Sequence, residues 1–176
     1  MVIERSTAVS VPRVATARLL LREYRLPDFD AYAENLADSV SQQHLSGVVD
    51  RRTAWRLFMV GPGSWMLCGA GWWAVEHTET REVVGTVGAF YREKAVELEL
   101  GWNIYRKFWG RGFATEAAQA ALEYGFSAHD APHAIALIDA PNVASIRVSQ
   151  KLGMRYEGDV ELFGSPVGRY VVKRQA

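Results

Sequence analysis

The chain has 176 residues, 49% hydrophobic and 23% charged, and its 20 basic side chains balance its 20 acidic ones. That length suits one folded domain with a substantial core, and the charge balance supplies no global field to draw nucleic acid or an anionic membrane. The single Cys68 excludes an internal disulfide, no apolar run nears the ~20 residues that span a bilayer, and the start Met1-Val-Ile-Glu-Arg lacks a signal peptide's layout, so a cytoplasmic protein is expected.

Residues 1–15 read as an irregular N-terminal segment and 16–176 as a single domain. Residues 17–25 are dense in apolar side chains and predict a first strand. Pro27 suits a helix's first position, Asp28 complements its N-terminal dipole, and Phe29, Tyr32 and Leu36 form one apolar stripe. A second, short helix is expected over 51–59, ended by Gly61-Pro-Gly63. Cys68 follows in the apolar stretch Trp65-Met66-Leu67-Cys68, where a thiol normally packs. Its alternative role, a nucleophile served by His44, His77, His129 or His133, has no local support. The histidines are scattered without metal-ligand spacing, and no metal is expected.

The middle predicts a meander, with strands over 71–77 and 83–91 joined by the turn Thr78-Glu-Thr-Arg81. The next strand, 96–104, alternates almost perfectly. Val96, Leu98, Leu100, Trp102 and Ile104 face one way; Glu97, Glu99, Gly101 and Asn103 face the other. A helix is expected from the loop near 112 to about Ser127, with Ala118, Leu122 and Phe126 on one stripe. A short strand over 134–139, a helix from Pro141-Asn142 to the C-cap Gly153, and strands over 156–163 and 169–173 complete the chain. This order predicts an α/β or α+β domain built on one mixed sheet.

The chemistry concentrates in Tyr105-Arg-Lys-Phe-Trp-Gly-Arg-Gly-Phe-Ala-Thr-Glu-Ala117. It is no P-loop, because no Gly-Lys-Ser/Thr follows at the required spacing. It is no dinucleotide fingerprint, because Thr115 stands where a third glycine belongs. A tight strand-to-helix turn alone would explain Gly110 and Gly112. Their place ahead of a helix N-terminus, with Lys107 and Arg111 beside them, also fits an anion approaching bare backbone N–H groups.

Lys107-x-x-Gly110-x-Gly112 resembles the acetyl-CoA loop of GNAT acetyltransferases, and Trp109-Gly-Arg-Gly-Phe-Ala-Thr-Glu-Ala117 resembles the branch of ribosomal-protein N-terminal acetyltransferases (RimJ/RimL-like). Thr16-Ala-Arg-Leu-Leu-Leu-Arg22 with Asp28, Glu99-Leu-Gly-Trp102, and Asn142-Val-Ala-Ser145 through Lys151-Leu-Gly-Met154 resemble other motifs of that branch, in its order. The resemblance spans about residues 16–160. It implies a mostly antiparallel central sheet of about seven strands flanked by about four helices. It departs at Lys107, where Gln or Arg is commoner, at Met154, often Phe, and at Ser149, where many members carry a tyrosine general acid.

What the resemblance implies is an N-acetyltransferase moving an acetyl group from acetyl-CoA to a primary amine by direct attack in a ternary complex. The cofactor is then held by Trp102, Asn103, Ile104, Lys107, Trp109, Gly110, Arg111, Gly112, Phe113, Ala114, Thr115, Asn142 and Ser145. Its pantetheine arm would lie between splayed strands, and a backbone N–H near a bulge of the 96–104 strand would polarise the carbonyl. Glu99 is the expected base and Ser149 the candidate donor to the leaving thiolate. Glu97 and Glu99 each also read as solvated strand carboxylates, Ser149 as a helix serine bonding its own backbone, and Asn142 as a helix N-cap. The acceptor is a protein N-terminus or a small amine, and balanced charge argues against a strongly cationic one. Trp65, Trp72 and Trp73 either shape the acceptor site or fill the core. The alternative is a catalytically silent acyl-CoA sensor, and a monomer or homodimer fits either reading.

Overall fold

Eight strands form one sheet in the computed structural model, which describes residues 10–174 except Ser46 and Lys94. They are β1 (Val14–Ala15), β2 (Leu19–Arg22), β3 (Gly71–His77), β4 (Val83–Phe90), β5 (Leu98–Ile104), β6 (His133–Ile138), β7 (Arg155–Leu162) and β8 (Ser165–Lys173). Their order is β1-β2-β3-β4-β5-β6-β8-β7. Neighbours run antiparallel except β5 and β6, which are parallel. A parallel pair needs a crossover, and helix α4 (Phe113–His129) supplies it. The other helices are α1 (Phe29–Ala37), α2 (Ser39–Gln42), α3 (Arg51–Cys68) and α5 (Val143–Lys151). The mixed, mostly antiparallel fold is as expected, with eight strands in place of about seven and five helices in place of about four.

Small residues bring α4 close to the sheet. Ala117, Ala118, Ala121 and Gly125 are buried on its inner face beside Phe113 and Leu122, and they rest on β4 and β5. At the other end of the sheet a buried ion network joins β2 to α1. Arg22 reaches Asp28 at 2.7 Å and Glu76 at 2.6 Å. Asp28 also accepts the Arg25 N–H at 2.8 Å. It is thus committed to Arg22 and to the turn before α1 rather than simply facing a helix dipole.

Four sequence expectations need correction. Val14 and Ala15, read as irregular, pair with Leu21 and Leu20 as a short edge strand; residues 1–9 lie outside the described residues. Helix α3 does not stop at Gly61-Pro62-Gly63 but runs on to Cys68. Its buried positions Ala54, Phe58, Gly61 and Trp65 form one continuous helical stripe, so packing overrides local propensity. Gly61 belongs to that stripe because a Cβ there would sit 2.7 Å from the Tyr24 ring. Cys68, expected to pack, is exposed at the end of this longer helix. Strand β8 begins at Ser165 rather than 169, because Leu162 pairs with Ser165 across a two-residue turn. Both turn residues, Phe163 and Gly164, have positive φ (50° and 81°), as a tight primed hairpin turn demands.

Candidate active site

The glycine loop is bent by its own backbone and left open on its outer side. Gly110 and Gly112 have φ of 75° and 80°, a region that L-residues with a Cβ seldom occupy. A Cβ at Gly110 would meet nothing within 4 Å, so crowding within the protein does not explain that glycine. Gly112 is the N-cap of α4, where no side chain among the described residues caps the helix. The first N–H groups of α4 therefore end at the surface, beside exposed Arg111.

The loop is braced from behind. Arg18 donates to the Arg111 carbonyl at 3.0 Å and to Glu116 at 2.8 Å, and Thr16 donates to Glu116 at 2.6 Å. Burial pushes the Glu116 carboxyl up, but the Thr16 and Arg18 hydrogen bonds outweigh it and hold the group below its ordinary value. These contacts tie Thr16 and Arg18 of the first sequence motif to Glu116 of the loop motif. Trp109 donates its indole N–H to the Ile104 carbonyl at 2.6 Å. Lys107, expected to face an anion, pairs with Glu82 at 3.1 Å and depresses that carboxyl.

Beside the loop the sheet opens. Strands β5 and β6 pair only at Leu98↔Ala134 and Glu99↔Ile135, although both continue beyond. Tyr105 donates its N–H to Val84 at 2.9 Å, which sets the phase of the β4–β5 ladder. Odd-numbered residues bond β4, so even-numbered ones face β6: the Leu100 N–H serves the Glu99↔Ile135 pairing, and beyond it the Leu100 C=O and the Trp102 N–H and C=O turn toward the opening. The β4–β5 register is continuous from Gly85↔Ile104 to Phe90↔Glu99. The bulge expected in this strand is not found there, and the exposed peptide groups arise from the splay of β6 instead. Asn142 accepts the Ser145 N–H at 3.1 Å as helix N-cap of α5, and the Trp102 indole donates to the Ser145 hydroxyl at 3.3 Å.

The opening continues into a cavity of about 1220 Å³. Its floor is one face of β3–β5, carrying Trp72, Thr86, Phe90, Glu99, Gly101 and Asn103. Alternation along β3 separates the adjacent tryptophans. Trp72 faces the cavity, whereas Trp73 (0% exposed) packs on Trp65 in the core at 4.6 Å. Tyr24, Tyr32, Leu57, Val60 and Phe163 add apolar walls. Burial raises the Tyr32 hydroxyl to about 12 and that of Tyr24 well above its ordinary value, so both stay neutral.

Glu99 sits on this floor, 5% exposed, with both oxygens held by Arg92. Glu97 lies just before β5 and away from the cavity lining. It accepts from His133 at 2.7 Å and Arg169 at 2.5 Å, the His133 contact being the larger cause of its lowered pKa. Ser149 is fully buried and donates to the Ile146 carbonyl at 2.8 Å. It is not among the cavity's lining residues. Arg92, Tyr24, Phe163 and the pair His44–Asp139 (3.3 Å) were not singled out from sequence. The ring run Phe90-Tyr91 before Arg92 was a faint signal; nothing local links positions 44 and 139.

The fold and the loop define a class. The acetyltransferase (GNAT) domain family matches residues 18–155, and the chain belongs to it; it is an N-acetyltransferase by class. Among relatives, "Uncharacterized protein YkkB" of Bacillus subtilis is 38% identical over 58% of this chain, which spans 60% of that protein's length. "Uncharacterized N-acetyltransferase YnaD" of the same species is 32% identical over 82% of this chain and 84% of its own. An acetyltransferase from Agrobacterium tumefaciens superposes with a TM-score of 0.86 at 27% identity, covering 97% of this chain and 99% of its own. RimL, a ribosomal L7/L12 α-N-protein acetyltransferase bound to coenzyme A, shares the fold at 15% identity (TM-score 0.77, 92% and 98% covered). So does the spermidine N-acetyltransferase of Vibrio cholerae with CoA and spermine, at 16% identity (TM-score 0.73, 90% and 96% covered). Among the described residues no helix is long and apolar enough to cross a membrane, and no group of three or more metal-binding side chains gathers.

Proposed function

We propose that the chain transfers the acetyl group of acetyl-CoA to a primary amine by direct attack in a ternary complex. The observation that carries this reading is the placement of the β5–β6 splay next to the uncapped start of α4. An extended pantetheine arm can add to the Leu100 and Trp102 peptide groups as a strand would. The pyrophosphate then meets the α4 N-terminus behind Gly110 and Gly112, with Arg111 at its side. Ile104 contributes packing, since its carbonyl already accepts from Trp109. Asn142 uses its Oδ1 as helix cap, which leaves its amide nitrogen as the end suited to a pantetheine carbonyl.

Transfer needs an uncharged amine, a polarised thioester carbonyl and a stabilised sulfur. Glu99 is the carboxylate closest in sequence to the open peptide groups of Leu100 and Trp102, and it lies on the cavity floor. Arg92 holds it in place, and from there it takes the amine proton directly or through water. The acceptor is a protein N-terminus, as in the RimJ/RimL-like branch, or a small amine. Titration with acetyl-CoA by calorimetry tests the cofactor half: saturable binding supports the reading, and absence of heat at high concentration removes it.

A further inference from the structure

The cavity floor has an unusual construction. In register across three strands stand Trp72, Gly88 and Gly101. The indole occupies the space that two side chains would fill, since a Cβ at Gly88 would lie 2.8 Å from it and one at Gly101 2.5 Å. It therefore lies flat along the sheet, half-buried, and stacks with Phe90 at 5.1 Å and 27°. The result is an aromatic pair on the floor, with the Arg92 guanidinium 5.7 Å above the Phe90 ring and Glu99 directly opposite Phe90 in the ladder. Around it, Leu45, Leu57, Val60 and Phe163 are 51%, 41%, 52% and 89% exposed while lining the same cavity. Apolar groups left this bare beside a flat ring pair suit an apolar guest.

Charge points the same way. At the floor Glu99 has both oxygens occupied by Arg92. At the rim Asp139 faces His44, and Glu93 also has an interaction partner. A guest with several ammonium groups would lose water here without gaining unpaired carboxylates in return.

Resting on the acetyltransferase reading above, we propose that the acceptor is an arylalkylamine: a primary amine joined by a short linker to one flat aromatic ring. The ring packs against Trp72 beside Phe90, and the nitrogen reaches Glu99. Glu99 and Gly101 are two residues apart on β5 and so about 7 Å apart along the strand, which a linker of about two or three atoms covers. In the reaction the nitrogen forms its bond to the thioester carbon and the carbon–sulfur bond breaks. The proton leaving nitrogen is finally carried by the CoA thiol.

The test compares kcat/KM for 2-phenylethylamine and tryptamine with hexylamine, spermidine, kanamycin and a short peptide bearing a free N-terminus. The arylalkylamines are expected to exceed each of the others by about tenfold or more. Trp72→Leu should bring the aryl-to-hexyl ratio close to one, and Gly88→Ala, which pushes the indole from its seat, should lower the same ratio. A higher value for spermidine, kanamycin or the peptide overturns the proposal, as does a ratio unmoved by both variants. If no amine is acetylated, the transfer reading fails by itself. Calorimetry with tryptamine then still decides this one: binding that Trp72→Leu abolishes supports it, and absence of binding to the unmodified protein overturns it.

Discussion

Arg92 grips both oxygens of Glu99, Nε to Oε2 at 2.5 Å and Nη2 to Oε1 at 2.6 Å. A carboxylate held this way is fixed in position on the cavity floor. Glu99→Gln should therefore lower kcat by about 100-fold, the low end for general bases. Its rate should climb with pH toward the acceptor's own pKa. Glu97→Gln is the control, because Glu97 is tied to His133 and Arg169 outside the cavity. Steady-state kinetics across pH should show the loss in the first variant alone; the reverse pattern would move the base to Glu97.

Ser149 offers a second separation of roles. Its hydroxyl is buried and bonded to the Ile146 carbonyl, so Ser149→Ala should cost about 1 kcal/mol of stability and leave kcat within about twofold, well short of a general acid's contribution. Thermal melts and kinetics on one preparation check both halves. A large fall in kcat with an unchanged melt would instead give the hydroxyl to the departing thiolate.

The brace behind the loop carries a pH signature. The Glu116 carboxyl is held below its ordinary value in the fold, so its contribution is fully present above the unfolded value of about 4.3 and fades as pH falls through the folded one. Glu116→Gln should lower stability by about 1 kcal/mol near neutrality, reduced by the partial exposure of Arg18. Denaturant melts should show that deficit shrinking below about pH 4. A deficit independent of pH would mean that the charge plays no part.

Much of this arrangement was written locally. The two glycines before α4 and the Asn142 cap are short-range patterns, and each is found where sequence placed it; the strand expected over 96–104 begins only at Leu98, with Val96 92% exposed before it. The failures are tertiary. Gly61-Pro62-Gly63 reads as a break until Tyr24 packs against Gly61. Trp72 and Trp73 are indistinguishable as residues, and only the sheet decides which one meets the cavity. The Arg92–Glu99 and His44–Asp139 pairs depend on loops whose course no periodicity records.

Gly112→Asp probes the phosphate end. Aspartate would have to adopt a φ of 80° and would place a negative charge at the start of α4. Acetyl-CoA affinity should fall by about 100-fold or more, roughly the 3 kcal/mol that strain and repulsion together supply. Gly112→Ala, strained but uncharged, should fall between the two. Calorimetric affinities equal to that of the unmodified protein would place the pyrophosphate elsewhere.

Release of CoA thiol from acetyl-CoA, followed with and without amine and paired with the intact mass of the protein, tests direct transfer most plainly. Thiol should appear only when an amine is present, in equal amount to acetylated amine, while the protein's own mass stays unchanged throughout. Tight binding of acetyl-CoA with no thiol released by any amine would contradict the account and mark a silent acyl-CoA sensor, and an acetylated protein able to pass its acetyl group on to the amine would contradict direct attack.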